Sequence, residues 1–198
     1  MRKVAICLLL TATVVFSASQ SFFVGMRNQR FLFVGAQWGS YGVLVEQSMY
    51  NQDPELQHGQ IGVYAEYMLP CSMTLWYFLY GGMQYDLDFY EYGGELALLW
   101  APQKFFQVKG RYRPFYDSDY QLKYGYLLQL QSYPFEEVGF YAGIKNMPDY
   151  RNVERRYFGG ILFDVGRLSV SPEFSTPIHG SFEWTRIHVN FIYRYDYE

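Results

Sequence analysis

Trp184-Thr-Arg-Ile-His-Val-Asn-Phe-Ile-Tyr-Arg-Tyr-Asp-Tyr-Glu198 closes the chain, and its reading decides the fold. Every second residue from Thr185 gives Ile187, Val189, Phe191, Tyr193, Tyr195 and Tyr197. The interleaved set is Arg186, His188, Asn190, Ile192, Arg194, Asp196 and Glu198. One face is apolar and ends in aromatics, and the other is almost wholly polar. A side-chain period of two is that of a β-strand, and a long strand of this kind suits a sheet that meets lipid on its outside and water on its inside.

The same two-faced pattern recurs upstream. Ile61, Val63, Ala65, Tyr67 and Leu69 alternate with Tyr64, Glu66 and Met68. Phe106, Val108 and Tyr112 alternate with Gln107, Lys109, Arg111 and Arg113, and Leu122, Tyr124, Tyr126, Leu128 and Leu130 with Lys123, Gln129 and Gln131. Small barrels direct one such set inward. The alternation therefore predicts a lumen-facing charged set: Glu46, Glu66 and Glu95 from the earlier strands, and Lys109, Arg111, Arg113, Lys123, Lys145, Arg156, Arg186 and Arg194 from the later ones, with His188 in a lumen network. Confined charges must be paired or hydrated. Cross-lumen pairs would plug the centre, and the surplus of base would otherwise bias a wet channel toward small anionic solutes. Leu75 to Tyr80 and Leu96 to Trp100 are apolar on both faces, which favours the plug.

Turn residues punctuate the alternation into twelve strands. They run Phe22 to Arg27, Arg30 to Trp38, Tyr41 to Tyr50, Gly59 to Leu69, Met73 to Gly82, Tyr92 to Ala101, Lys104 to Arg113, Tyr120 to Ser132, Val138 to Lys145, Arg155 to Asp164, Arg167 to Ser175 and Phe182 to Tyr197. Pro54, Pro70, Pro102, Pro114, Pro134, Pro148 and Pro177 fall in the gaps, and Pro172 alone falls inside a strand. Short gaps alternate with long ones, the layout of an up-and-down transmembrane barrel with tight turns on one rim and loops on the other. The weak point is Asn28-Gln29, a short turn on the long-loop rim. If the first strand is only a leader, ten strands is the alternative, since single-chain bacterial barrels have even counts. Trp38, Tyr41, Tyr67, Trp100 and Tyr195 on one rim, and Tyr50, Tyr112, Tyr120 and Tyr157 on the other, are placed to form aromatic girdles.

Composition agrees. Half of the 198 residues are hydrophobic and 21 are Tyr and 17 Phe, yet the mean hydropathy is −0.15. Interleaved lipid-facing and water-facing side chains produce that combination. Arg2 and Lys3 precede the apolar run Val4 to Phe16, with Ser17, Ala18 and Ser19 behind it, the pattern of a cleaved signal peptide over 1–19. That 13-residue run is shorter than the ~20 residues a membrane helix needs. The net charge is −3 with this leader and, two bases fewer, −5 without it, which argues against nucleic acid as a partner. Cys7 lies in the leader, so only Cys71 remains in residues 20–198, and no disulfide forms within the barrel domain.

With its leader, strand and turn rhythm and aromatic-ended last strand, the chain resembles a bacterial outer membrane β-barrel protein. The resemblance implies outer-membrane lipids as surroundings and insertion by the barrel-assembly machinery, which in that family reads a terminal aromatic residue. Here Tyr197 is penultimate and Glu198 follows it. The alternative fold is a secreted soluble ligand-binding barrel or sandwich with its greasy face inward; it would have to house the many large aromatics inside.

Chemistry-bearing motifs are few. His179-Gly180-Ser181 has the His-x-Ser spacing of outer-membrane lipid hydrolases, with Glu173 and Glu183 as orienting acids. A polar turn beside Pro177 explains the same residues and is the reading adopted. His58 has no second ligand at metal spacing, and no cofactor motif occurs. Tyr85 to Tyr92 and Tyr116 to Tyr120 mix carboxylates and rings as a sugar or cation site would, but lack the Gly-bearing spacing of a calcium loop; they are read as barrel caps. The expectation is an all-β, single-domain outer-membrane barrel, either a narrow pore or a small structural membrane protein.

Overall fold

The computed structural model describes residues 21–27, 31–48, 58–84, 90–118, 121–146, 155–179 and 186–196. The leader, Tyr50, Tyr120, Ser181, Tyr197 and the Tyr85–Phe89 half of the first acidic-aromatic segment lie outside the described residues. Twelve strands form one closed antiparallel barrel: β1 (Ser21–Arg27), β2 (Phe31–Trp38), β3 (Tyr41–Ser48), β4 (His58–Leu69), β5 (Met73–Gln84), β6 (Tyr90–Gln103), β7 (Phe106–Asp117), β8 (Leu122–Phe135), β9 (Val138–Lys145), β10 (Arg156–Val165), β11 (Leu168–Pro177) and β12 (Arg186–Asp196). Each strand pairs with its neighbours in sequence, and β1 pairs with β12.

The doubtful first strand is the closing one. On one side Phe22 and Val24 face Tyr195 and Tyr193 of β12, and on the other they face Ala36 and Val34 of β2. The ten-strand alternative is thereby excluded.

Tight turns hold one rim. Gly39 and Gly166 enter theirs at φ 58° and 59°. The β4–β5 turn, three residues between the paired Leu69 and Met73, places Cys71 and Ser72 at φ 62° and 57°.

The strands run further than their prolines suggest. Pro102, Pro114, Pro134 and Pro177, expected in gaps, lie within β6, β7, β8 and β11. Pro102 and Pro134 fall where the register shifts, between Trp100 and Gln103 and between Ser132 and Phe135, so a bulge absorbs each missing donor. Pro114 keeps its partner Tyr124 on β8, while the β6 register passes from Gly93↔Phe115 to Leu96↔Tyr112. Pro172 behaves alike, paired with Val189 on β12 as the β10 register skips from Gly160↔Glu173 to Phe163↔Val170. A residue with no N–H leaves the ladder open on one side only. Extending β7 also takes Tyr116 and Asp117 out of the second acidic-aromatic loop and into a strand.

The two faces differ. Buried Phe31, Tyr80, Ala97, Phe115, Tyr141 and Phe158 share one face with most of the buried polar groups. Leu79 at 64% and Ile187 at 71% exposure typify the other, where Ile61, Val63, Leu96, Leu128 and Phe174 are also exposed. Rings meet along its margins: Tyr67 is edge-on to both Tyr41 and Tyr77, and Tyr92–Tyr116 and Tyr112–Tyr124 stack.

The seam between β1 and β12 makes a direct test. In a Cys71→Ser background, Val24→Cys with Tyr193→Cys should oxidise to an intramolecular disulfide, seen as a mobility shift on denaturing gels. On chain-entropy grounds the cross-link should stabilise the barrel by on the order of 5 kcal/mol. Failure of the pair to cross-link would remove β1 from the barrel.

Candidate functional site

Antiparallel partners project to the same face of a sheet, so the register sorts the charged residues. On the buried face Arg194 lies opposite Phe23, Phe33 opposite Glu46, Glu46 opposite Gln60, and Glu66 opposite Trp76. The set continues with Phe78 opposite Glu95, Ala97 opposite Arg111, Leu99 opposite Lys109, Arg113 opposite Gly125 and Phe115 opposite Lys123. Lys145 faces Leu127 on one side and Arg156 on the other, Glu173 faces His188, and Ser175 faces Arg186. All the charged residues singled out by alternation thus belong to one register set. They are not equally enclosed: Glu46, Arg113, Arg156 and His188 are buried, while Arg186 and Arg194 are exposed.

Three of the ion pairs on this face are built over an aromatic ring. The Arg27 guanidinium on β1 lies 4.9 Å from the Phe31 ring centroid on β2, and its Nη2 donates to Glu46 Oε1 on β3 at 2.7 Å. The Lys145 ammonium on β9 lies 4.9 Å over the Phe158 ring on β10 and pairs with Glu173 on β11. Both relays cross one intervening strand. Alternate strands are about 9.5 Å apart, too far for adjacent side chains to touch directly, and the ring supplies a favourable surface for the cation along the way.

A third cluster spans β4 to β8. Arg113 lies 3.9 Å over the Tyr80 ring, its Nε donates to Tyr80 Oη at 2.8 Å, and its Nη2 donates to Gln60 Oε1 at 3.1 Å and Glu91 Oε1 at 3.4 Å. Asp117 pairs with Lys123. His58 Nε2 is 3.8 Å from Glu91 Oε1, and its backbone N–H donates to Ser48 Oγ at 2.8 Å. Gly82 and Gly93 carry no side chain here, and a methyl on Gly82 would sit 2.7 Å from His58 Nε2.

Nearer the tight-turn rim Arg111 grips Glu95 with two parallel bonds, Nε to Oε1 at 2.7 Å and Nη2 to Oε2 at 2.6 Å, the fork geometry that fixes a carboxylate in plane. Lys109 lies 5.9 Å over the Trp76 ring. On the far side Arg156 donates from Nε to Ser175 Oγ at 3.2 Å and from Nη2 to the Ser175 carbonyl at 3.1 Å.

Four partners escaped the alternation. Arg27 on β1 lies outside the predicted set, and Glu173 enters the sequence reading only as an acid for His179. Glu91 and Asp117 fall in its loops, although stepping by two from Glu95 through Gly93, or from Arg113 through Phe115, reaches them. With them the named charged residues of this face are nine bases against six acids, in place of eight against three. The pairs also do not meet across the barrel: among the described residues, each ion pair joins strands one or two apart. His179 is exposed after β11, and no group of three or more His, Cys, Asp or Glu placed to hold a metal occurs among the described residues.

With Glu91 and Arg113 both nearly sealed, at 5% and 9% side-chain exposure, neutralising one member leaves the other buried with less compensation. Glu91→Gln should therefore destabilise the barrel by about 3 kcal/mol, measured by denaturant unfolding. The more open Glu95→Gln should cost less.

A scan against protein-family models finds no match, and neither does a search of curated proteins. Solved structures do match. A KdgM porin aligns with a TM-score of 0.62 at 8% identity, covering 90% of this chain and 98% of that one. A KdgM porin in complex with disordered oligogalacturonate aligns with a TM-score of 0.60 at 10% identity, over 90% and 98% of the two chains. A NanC porin aligns with a TM-score of 0.55 at 12% identity, over 88% and 96%. Likeness at this level of identity establishes the fold, and the fold is that of the bacterial outer membrane β-barrel porins.

Proposed function

We propose that the protein is an integral channel of the bacterial outer membrane, a narrow pore whose wall is the buried charged face and whose exposed apolar face meets lipid. The observation that carries this reading is the direction of the ion pairs. They run along the sheet between strands one or two apart, three of them over rings, and so neutralise the wall without bridging the bore. Cross-lumen pairs would have made a plug. The porin neighbours support the same reading at the level of fold.

The outer face argues for the bilayer. Its margins carry stacked and edge-on tyrosines, its centre carries Ile61, Val63, Leu79 and Leu128, and a charge there would cost about 2 to 4 kcal/mol. A soluble barrel would need those faces exchanged. In this reading residues 1–19 are the leader removed on export, and the barrel-assembly machinery inserts the chain by its aromatic-ended last strand.

Selectivity follows from the charge balance. Among the charged residues named on this face, nine bases (Arg27, Lys109, Arg111, Arg113, Lys123, Lys145, Arg156, Arg186 and Arg194) stand against six acids (Glu46, Glu66, Glu91, Glu95, Asp117 and Glu173), so anion preference is modest. A carboxylated, ring-bearing solute such as the oligogalacturonate held by the KdgM porin would meet guanidinium groups and aromatic faces on such a wall.

Two outcomes test the reading. The mature protein should fractionate with outer membranes and migrate differently on gels before and after heating, because a closed barrel has no free edge and resists detergent; recovery as a soluble periplasmic protein refutes it. In planar bilayers it should carry a steady, weakly anion-preferring current. Glu173→Gln should strengthen that preference and Arg111→Glu should weaken it, whereas the absence of any current would leave a structural barrel.

A further inference from the structure

Several rings on the inner face rest on glycines of the neighbouring strand. Phe23 on β1 is the register partner of Gly35 on β2, and Tyr64 on β4 is the partner of Gly42 on β3. A methyl built on Gly35 would overlap the Phe23 ring, and one built on Gly42 would overlap the Tyr64 ring. At both glycines the nearest obstacles are ring atoms alone. At Gly25, Gly62, Gly143 and Gly160, by contrast, a backbone carbonyl oxygen also obstructs.

Further contacts show how these two rings lie. Tyr64 reaches over Gly42 to β2, where its hydroxyl donates to Gln37 Oε1 at 3.4 Å. The Phe23 and Tyr64 centroids are 6.4 Å apart although their strands are separated by both β2 and β3. From opposite sides the two rings lean over the β2–β3 hairpin and meet above it. Rings that cross neighbouring strands in this way lie along the wall and do not stand out from it.

We propose that Gly35 and Gly42 set the width of the bore, by giving Phe23 and Tyr64 the depth to lie flat and so keeping the β1–β4 sector of the lumen open. The inference rests on the pore reading and assigns bore-determining residues to it. The nearest atoms to a Cβ at either glycine are those at the free end of a ring, so the ring yields and the backbone stays. The one direction left to a displaced ring is into the lumen.

The test is single-channel conductance of the full chain in planar bilayers. Gly42→Ala and Gly35→Ala should each lose conductance while keeping the heat-modifiable gel shift of a closed barrel. Tyr64→Ala alone should change conductance little, because a flat ring occupies little of the bore, and Gly42→Ala combined with Tyr64→Ala should recover the parent current. Unchanged conductance in both glycine variants, or a large gain in Tyr64→Ala, overturns the proposal. If Gly42→Ala does not fold, Gly35→Ala with its Phe23→Ala rescue decides the matter in the same way. Should the parent itself carry no current, the pore reading falls, and a crystal structure of Gly42→Ala settles the glycine role: a Tyr64 ring turned inward upholds it, and an unmoved ring or an outward-shifted strand refutes it.

Discussion

All eleven ladders between successive strands could form as local hairpins in any sheet, closed or open, but the twelfth, between β1 and β12, joins the two ends of the chain. Phe22 to Met26 must find Tyr195 to Phe191 across the whole length of the barrel. Without that ladder, both strands would present a row of unpaired N–H and C=O groups. In a bilayer such groups have no water to bond, and each costs several kcal/mol. Closure is therefore what permits the apolar outer face to be immersed at all, and it also creates a second, enclosed face on which charges are tolerated.

That enclosed face obeys its own constraint. A charge withdrawn from bulk water needs compensation close by, yet a side chain reaches only a few ångströms from its strand. The structure answers with distance-shortening contacts. Arg27 and Lys145 each span an intervening strand by lying on the ring that strand provides, Phe31 or Phe158, before meeting Glu46 or Glu173. Arg113 also lies over a ring, that of Tyr80 on β5, although its acid Glu91 is on the adjacent strand β6. The ring stabilises the cation through its quadrupole while adding no charge of its own. Aromatic residues on the inner face thus serve the electrostatics as well as the packing.

Much of this was legible in the sequence. Alternation in the last strand is strict because one side meets lipid and the other does not, and a one-residue slip would reverse every side chain. The strand number followed from turn rhythm for a similar reason. The termini of individual strands were not legible, because proline was read as a stop. Pro102 and Pro134 sit in bulges and Pro114 and Pro172 beside one-sided ladder gaps, and nothing local marks a bulge in advance. The cost fell on the site: with β7 cut at Arg113, Asp117 became a loop residue, and with β6 begun at Tyr92, Glu91 did too. Both are deeply enclosed acids of the inner network. Without them the charged face reads as more basic than it is. The direction of the pairs was likewise hidden, since a linear sequence gives the face of a residue but not its azimuth around the barrel.

Azimuth explains the division of labour around the wall. The β6–β8 sector carries the Glu91, Glu95, Arg111, Arg113, Asp117 and Lys123 network, and its small inner residues are Gly93, Ala97 and Gly125, which leave room for long charged side chains to fold down. The β1–β4 sector carries rings, and its small inner residues Gly25, Gly35, Gly42 and Gly62 lie under those rings. Glycine in a strand is costly in itself, since it adds no packing and loses more backbone entropy than other residues. Its repeated use on the inner face of this sector, each time beside a ring of a neighbouring strand, offsets that cost by letting the ring lie down. A barrel of fixed strand number has a fixed backbone diameter, so the free width inside it depends on how low its side chains can be laid. In this barrel the charged residues are held low by pairing with near neighbours, and the aromatic ones by glycine.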